Sequence, residues 1–232
     1  MIEVISSGYF TTIQDSGRKG YRYLGVPISG PMDLNSFYLA NLLLPGLSTD
    51  SVFECTLIGP KLKLRCNSRF VITGAKFNSY LDNEPIQNNK VYSFRVGQTL
   101  KLGRVNAGLR GYLKFEGIFN IPKILNSKSF YYPITKSKSI SDGEKFHFIS
   151  KTLDIQSRII NLKISENTFS EKTLIAYPGP DWNLLPVEIK KQIIGELFLI
   201  KSQNRMGYRL TSKLKNNFYN LKSKVVIPGI VQ

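Results

Sequence analysis

Apolar and polar residues alternate in short segments along most of the chain, and turn-forming residues separate these segments. Alternation with a period of two places successive side chains on opposite faces of a strand, and frequent turns are typical of barrels and sandwiches. The chain is therefore predicted to be mainly β. The pattern predicts strands at residues 62–66, 70–73, 92–96, 100–102, 146–149, 159–164, 173–177 and 196–200.

Two segments depart from this alternation and predict short helices. At the first, Ser29 or Gly30 is expected to be the N-cap, and Asp33 would lie near the positive end of the helix dipole. Apolar residues follow at helical spacing until a Pro-Gly pair at residues 45–46 ends the helix. The apolar residues of segment 186–195 are spaced as in a second, amphipathic helix.

The composition excludes several classes of protein. No segment approaches the roughly 20 apolar residues that a membrane helix needs, and the first residues do not resemble a signal peptide. The chain is therefore expected to be cytoplasmic, without a membrane as partner. Cys55 and Cys66 are the only cysteines and His147 is the only histidine, so we expect neither a disulfide framework nor a metal site.

The net charge of +16, from 32 Lys and Arg against 16 Asp and Glu, is a feature that nucleic-acid-binding proteins share. The basic residues are nevertheless spread singly along the chain, and no nucleic-acid-binding motif is present. We therefore do not expect nucleic acid as a partner. An anionic substrate or an acidic partner protein remains compatible with the charge.

The densest group of turn-forming and polar residues lies between residues 8 and 33. Its glycines allow backbone N–H groups to approach a ligand, and Arg18 could bind a carboxylate or phosphate while Gln14 or Asp15 fixes its orientation. Alternatively, these residues form structural turns in which Asp15 caps its own loop. From the spacing alone, structural turns are the favoured interpretation.

Two further places could carry chemistry. Arg205 and Arg209 would face the same side of a regular strand and could converge on a dianion, although solvated arginines beside a glycine bulge fit the spacing equally well. Glu54 could hold a substrate ammonium group or a proton, and a charge at the edge of a strand is the default interpretation. No P-loop pattern is present, so the sequence does not reveal an ATP pocket.

Several longer motifs occur in a fixed order along the chain. They are TTIQDSGRKGYRYLGVPISGPMD (residues 11–33), FECTLIGPKL (53–62), GLRGYL (108–113), YPGP (177–180) and NRMGYRL (204–210). Together these motifs resemble the family of the 5-oxoprolinase C subunit, which is also called KipA or allophanate hydrolase subunit 2. The same domain forms part of the carboxyltransferase of urea carboxylase.

The resemblance implies a mainly β fold of two cyclophilin-like β-barrel lobes with one or two short helices. The N-terminal lobe would span residues 1–118 and the C-terminal lobe residues 119–232. It also implies two partners, the A and the KipI-like B subunits of 5-oxoprolinase, with which such proteins hydrolyse 5-oxoproline to glutamate at the expense of ATP. In urea-amidolyase relatives the domain instead passes a carboxyl group from carboxybiotin to urea, so biotin enters only under that alternative. A non-catalytic regulator of the KipA type is the third alternative.

If the chain acts on 5-oxoproline, the substrate is a small anion. The segment with Arg18 and the segment with Arg205 and Arg209 are then expected to line one concave surface. The expected catalytic groups are Asp15, Asp33 and Glu54, and the expected substrate-binding groups are Gln14, Arg18, Ser29, Arg205 and Arg209. The sequence departs from the family pattern at Asn204, where an aspartate is usual. Relatives continue past the position of Gln232 through a TTGGYP-type turn, so the second lobe is expected to be incomplete.

Overall fold

The computed structural model describes residues 1–45, 51–149, 173–213 and 229–231. The chain divides into two compact units, Met1–Phe169 and Ser170–Gln232. The lobe boundary predicted between residues 118 and 119 stays a prediction. In the structure, Phe119, Phe130 and Phe146 belong to the same hydrophobic core as the strands that precede them.

Antiparallel strands form most of the first unit. They are β1 (Ile2–Ser6), β2 (Phe10–Gln14), β3 (Val52–Thr56), β4 (Lys61–Leu64), β5 (Ser68–Leu81), β6 (Glu84–Ile86), β7 (Val91–Phe94), β8 (Thr99–Phe115), β9 (Ile118–Phe119), β10 (Lys145–Phe146) and β11 (Phe148–Ile149). The main sheet has the order β10-β1-β4-β8-β3-β2, with β5 on β8 and both β6 and β7 on β5. The prediction of a mainly β fold is confirmed.

The long strand β8 organises this sheet. Its first residues pair with β4, its last residues pair with β3, and β5 runs antiparallel to it along most of its length. The register between β5 and β8 shifts at several points between Gly74 and Ser79. Because such irregularities bend and twist a strand pair, the sheet curls into a half barrel.

One face of the sheet carries an aromatic core. The ring of Phe53 packs edge-to-face against Phe115, Phe119 and Phe146, with centroid distances of 6.0, 5.2 and 5.5 Å. Edge-to-face pairs at these distances are favourable beyond the area that they bury. Because Phe119 and Phe146 follow β8 in the chain, the segment after β8 is needed to complete this core.

A helix covers the opposite face of the sheet. Helix α1 (Leu34–Leu43) buries Phe37 and Ala40 against Val71 of β5 and Tyr112 of β8. The predicted first helix is thereby confirmed, and it ends before Pro45 as expected.

The predicted N-cap of α1 is corrected by the structure. Asp33 is the capping residue, because its extended backbone precedes the helix and its Oδ1 accepts a hydrogen bond of 3.0 Å from the Ser36 N–H. Ser29 and Gly30 instead have left-handed backbones, with φ of 61° and 81°, and belong to the turn before the helix. A carboxylate at the first turn also suits the positive end of the helix dipole.

Some predicted strands have different bounds. The strand predicted at 62–66 ends at Leu64, whereas the one predicted at 100–102 is part of the much longer β8. The residues of the strand predicted at 173–177 have no ladder partner in the described part of the chain, so this strand stays a prediction. The strand predicted at 159–164 and the helix-ending Gly46 lie outside the described residues.

The described part of the second unit contains one helix and one hairpin. The helix α2 (Val187–Gly195) confirms the second helical prediction, and it follows a single 3₁₀ turn at Trp182–Leu184. The strands β12 (Leu199–Asn204) and β13 (Gly207–Thr211) pair antiparallel. Across all described residues, the helices are too short or too polar to cross a membrane.

Candidate functional site

A buried row of polar side chains crosses the helix-covered face of the main sheet. Thr12, Glu54, Tyr112 and Thr73 lie in register on β2, β3, β8 and β5, and all four are at most 1% exposed. Polar groups at this depth are costly unless they are hydrogen-bonded. The hydrogen-bond partners of these four side chains therefore show which part of the chain the row stabilises.

The row anchors the segment that enters α1. Glu54 Oε2 accepts hydrogen bonds from the Tyr112 hydroxyl at 2.9 Å and from the Met32 N–H at 2.8 Å. The Tyr112 hydroxyl in turn accepts a hydrogen bond of 2.7 Å from the Asp33 N–H, and Thr73 donates to the Ser36 carbonyl at 2.6 Å. The predicted catalytic residues Asp33 and Glu54 are thus brought together, with Tyr112 between them.

The environment keeps the Tyr112 hydroxyl protonated. Burial raises the pKa of Tyr112 far above its ordinary value, and the negative charge of Glu54 raises this pKa further. A protonated phenol can donate to the Glu54 carboxylate and accept from the Asp33 N–H at the same time. Tyr112 therefore acts as a fixed link between a buried carboxylate and the N-terminus of α1.

A second buried cluster surrounds Asp15, directly after β2. Its carboxylate accepts hydrogen bonds from the hydroxyls of Ser127 and Ser129 at 2.5 and 2.6 Å, and from the N–H groups of Lys128 and Gly17 at 2.6 and 2.9 Å. Burial by itself raises the pKa of Asp15, but these donors outweigh burial and hold the pKa below its ordinary value. The carboxylate is therefore ionised and held in place by four donors.

Arg18 joins the same two chain segments. Its side chain is completely buried and donates to the Ile124 carbonyl at 3.2 Å, the Ser129 carbonyl at 2.5 Å and the Ser29 hydroxyl at 2.9 Å. Burial lowers the pKa of Arg18, and the charge of Asp15 partly restores it. Three of the predicted residues, Asp15, Arg18 and Ser29, therefore lie in one connected cluster.

Gln14 connects this cluster to the polar row. Its Nε2 donates to the Thr12 hydroxyl at 2.9 Å and to the Phe130 carbonyl at 3.2 Å. Its Oε1 is buried and has no hydrogen-bond partner within the described residues. Ser29 and Asp33 are only half-buried, so segment 29–33 gives this otherwise buried network its partly exposed edge.

Arg205 and Arg209 belong to the second unit. Arg205 lies in the two-residue turn between β12 and β13, and Arg209 lies within β13 opposite Ser202. The expectation that both face the same side of one regular strand is corrected, because Arg205 precedes the strand. The shared surface predicted for these arginines and residues 14–20 stays a prediction.

The sequence patterns do not single out three residues that donate hydrogen bonds to the buried carboxylates. Tyr112 lies in the GLRGYL motif, and Ser127 and Ser129 lie in an Asn-Ser-Lys-Ser sequence, but hydroxyls in such contexts are common in turns and strands. Only the fold shows that they converge on Glu54 and Asp15. Cys55, by contrast, has a pKa that burial raises well above its ordinary value, so its thiol is not an activated nucleophile.

The arrangement offers ordered acceptors and donors beneath a half-exposed turn. Asp15 and Glu54 are buried carboxylates, while the partly exposed Asp33 uses its carboxylate to cap α1. Within the described residues, no group of three His, Cys, Asp or Glu side chains could hold a metal ion. The described side chains thus form a hydrogen-bonded polar network beneath segment 29–33.

Comparisons with known proteins agree with this architecture. The sequence profile of the family described as "Carboxyltransferase domain, subdomain A and B" matches residues 24–232. The C subunit of 5-oxoprolinase from Escherichia coli is 27% identical over 240 residues, which covers 100% of this chain and 76% of that protein. The urea amidolyase of Saccharomyces cerevisiae is 40% identical over 129 residues, which covers 55% of this chain and 7% of that protein.

A solved structure resembles the fold as well as the sequence. The crystal structure of the Kluyveromyces lactis urea amidolyase matches with a TM-score of 0.69 and 27% identity, covering 90% of this chain and 14% of that one. The chain thus spans a small part of the urea amidolyases and most of the Escherichia coli protein. Because the family profile covers most of the sequence, the chain belongs to the family of carboxyltransferase domains with subdomains A and B.

Proposed function

We propose that this chain is the C-type subunit of an ATP-dependent 5-oxoprolinase. The observation that carries the proposal is the similarity, along the whole chain, to the C subunit of Escherichia coli 5-oxoprolinase. In the proposed reaction, water is added across the lactam C–N bond of 5-oxoproline to give glutamate, while ATP is hydrolysed to ADP and phosphate. A protein of this kind works with the A and the KipI-like B subunits of the enzyme.

The proposed roles follow from the contacts of each residue. Asp33 is the half-exposed acid next to the buried Glu54–Tyr112 pair, and we assign it to proton transfer at the substrate. Glu54 holds this segment through the Met32 N–H, and the buried Asp15 and Arg18 fix the turn at Ser29. We expect the half-buried Ser29 hydroxyl to contact the lactam, while Gln14 ties β2 to the Phe130 carbonyl. Arg205 and Arg209 stay predictions as substrate-binding groups.

ATP would be held by the complex, and without a phosphate-binding loop motif its pocket is not identifiable from this sequence. The proposal is tested by purifying the chain with the candidate A and B subunits from the same genome. Glutamate and ADP formed from 5-oxoproline and ATP are then measured with and without this chain. Formation that requires all three subunits supports the proposal, whereas formation without this chain contradicts it.

Asp33→Asn is the sharpest variant for this assay. Asparagine is as good an N-cap as aspartate, so α1 and the stability of the unit should be retained while the carboxylate is lost. Glutamate formation should fall by about 100-fold or more, the usual effect of losing a proton-transfer group. The control is Asp142→Asn, which removes the same charge from a surface loop and should leave the rate unchanged. An Asp33→Asn complex with the wild-type rate would remove Asp33 from catalysis.

A carboxyltransferase acting on urea is the second candidate, since the identity to the yeast urea amidolyase is higher, at 40% over 129 residues. This function would require carboxybiotin, made by a biotin carboxylase on a separate carrier domain. Its assay supplies bicarbonate, ATP, urea and those two components, and it measures carboxylated urea. Activity only in this assay would select the second candidate, and activity in neither would favour a non-catalytic regulator of the KipA type.

A further inference from the structure

A second polar surface lies at the other end of β8 from Tyr112. Here the outer side of β4, β8 and β5 forms an open depression with a volume of about 520 Å³. This volume falls within the usual range for small-molecule sites. Its lining residues are Lys61, Tyr80, Asp82, Asn83, Thr99 and Lys101.

The register of the three strands places two lysines side by side. Lys61 on β4 lies directly opposite Lys101 on β8, and Lys101 lies directly opposite Tyr80 on β5. Like charges in directly opposite positions of an antiparallel pair destabilise a sheet. In the described part of the chain, neither ammonium group has a carboxylate within 4 Å.

Among the described residues, one carboxylate lines the depression, and it is already engaged. Asp82 Oδ1 accepts a hydrogen bond of 2.8 Å from the Thr99 N–H, and its Oδ2 accepts one of 3.0 Å from Gln98 Nε2. These bonds hold the tight turn that joins β5 and β6, in which Asp82 has a left-handed backbone with φ of 55°. The nearby Lys63 adds a third cation, with its Nζ 3.4 Å from the Thr99 hydroxyl. The depression is therefore predominantly positive.

We propose that Lys61 and Lys101 bind the phosphate of a small phosphate-bearing molecule in this depression. A phosphate group carries nearly two negative charges at neutral pH, so one group compensates both ammonium ions, whereas a single carboxylate compensates only one. Lysine is a common phosphate ligand, and the Tyr80 hydroxyl and Asn83 amide supply neutral donors at the rim. None of these residues belongs to the site around Asp33, so the proposal is independent of the proposed function.

The test measures the thermal unfolding of the full chain in low salt, with and without millimolar pyrophosphate. Pyrophosphate should raise the Tm of the wild type and leave that of K61Q/K101Q unchanged. The control K136Q/K138Q removes two exposed lysines from a loop and the same total charge, and it should respond like the wild type. Without any anion, K61Q alone should have a Tm at or above that of the wild type, because one member of the opposed pair is gone.

Two results would overturn the proposal. One is an unchanged wild-type Tm at millimolar pyrophosphate, and the other is an equal loss of response in both double variants, which would indicate a diffuse charge effect. Calorimetric titration checks the same point directly, with binding about tenfold or more weaker in K61Q/K101Q.

Titration with ADP distinguishes a nucleotide from a ligand that is recognised by its phosphate groups alone. Tighter binding of ADP than of pyrophosphate, lost in Tyr80→Leu, assigns the site to a nucleotide whose base stacks on Tyr80. Equal binding assigns the site to the phosphate groups alone.

Discussion

The Tyr112 hydroxyl donates a hydrogen bond of 2.9 Å to the Glu54 carboxylate, between the main sheet and helix α1. Both side chains are at most 1% exposed, and the same hydroxyl accepts the N–H of Asp33. A proposed catalytic acid is therefore positioned by a tyrosine that comes from a strand far away in the sequence. Stability and activity should be linked at this point.

Tyr112→Phe should test that link. The variant keeps the ring but leaves the half-buried Asp33 N–H without its partner and takes one donor from the buried Glu54 carboxylate. We expect the free energy of unfolding to fall by about 1–3 kcal/mol, the usual cost of an unsatisfied buried polar group. Urea unfolding measures the loss. Tyr92→Phe is the matched control. The Tyr92 hydroxyl accepts a hydrogen bond from the exposed Gln87 N–H, and water can replace the hydroxyl as acceptor when it is removed. Equal losses in both variants would contradict the role given to Tyr112.

Asp15→Asn should give a loss of stability that depends on pH. The folded-state pKa of Asp15 is lowered, so its stabilisation is complete above the unfolded pKa, about 3.9, and disappears as the pH falls through the folded value. The difference in unfolding free energy between the wild type and the variant should be about 2–3 kcal/mol at neutral pH, since several charge-assisted bonds are lost. It should shrink progressively below about pH 4. A difference that does not change with pH would mean that Asp15 is not held as a carboxylate.

Arg18→Lys should destabilise the first unit even without a substrate. A single ammonium group cannot reproduce the three bonds from Arg18 to Ile124, Ser29 and Ser129, so buried acceptors lose their donors. We expect a loss of about 2–4 kcal/mol in the free energy of unfolding. Arg22→Lys, at an exposed position of the same loop, should change little. If Arg18→Lys unfolds like the wild type but weakens substrate binding in the complex, Arg18 is a ligand contact and not an anchor.

Cross-linking can test the prediction that residues 14–20 and the turn at Arg205 share one surface. Lys19→Cys and Arg205→Cys, in a Cys66→Ser background, should be joined by a short bismaleimide if the two segments face one substrate. The remaining Cys55 is buried and should not react. Lys136→Cys with Arg205→Cys is the control pair, and mass spectrometry reports the products. Cross-linking of the control pair but not of the test pair would place the arginine sets on different surfaces.

The sequence predicted the type of fold because local patterns determine it. Alternating residues around Phe70 and Leu100 indicated strands, and the apolar spacing after Asp33 indicated α1. The sequence pattern places the N-cap of α1 at Ser29 or Gly30, whereas the structure places it at Asp33. All three residues suit a helix N-terminus, and only their backbone angles distinguish them.

The candidate site was harder to predict because its contacts are distant in sequence. The pattern around Asp15 and Arg18 suggested either a ligand site or structural turns. No local rule could indicate that Ser127 and Ser129 would supply the donors for Asp15. Likewise, the alternation within β8 does not reveal that Tyr112 would meet Glu54 or that Lys101 would lie opposite Lys61. Register between strands is set by long-range packing.

The bond between Asp15 and Ser127 spans 112 residues, and this separation has a consequence for how the protein folds. During synthesis, the loop after β2 emerges long before its partners, so its buried carboxylate and Arg18 stay hydrated until the chain has grown past Ser129. Proteins dominated by such distant contacts fold in milliseconds to seconds, more slowly than helical bundles. The unpaired edge of β2 is exposed throughout that interval, and an early stop in translation would leave it exposed to aggregation.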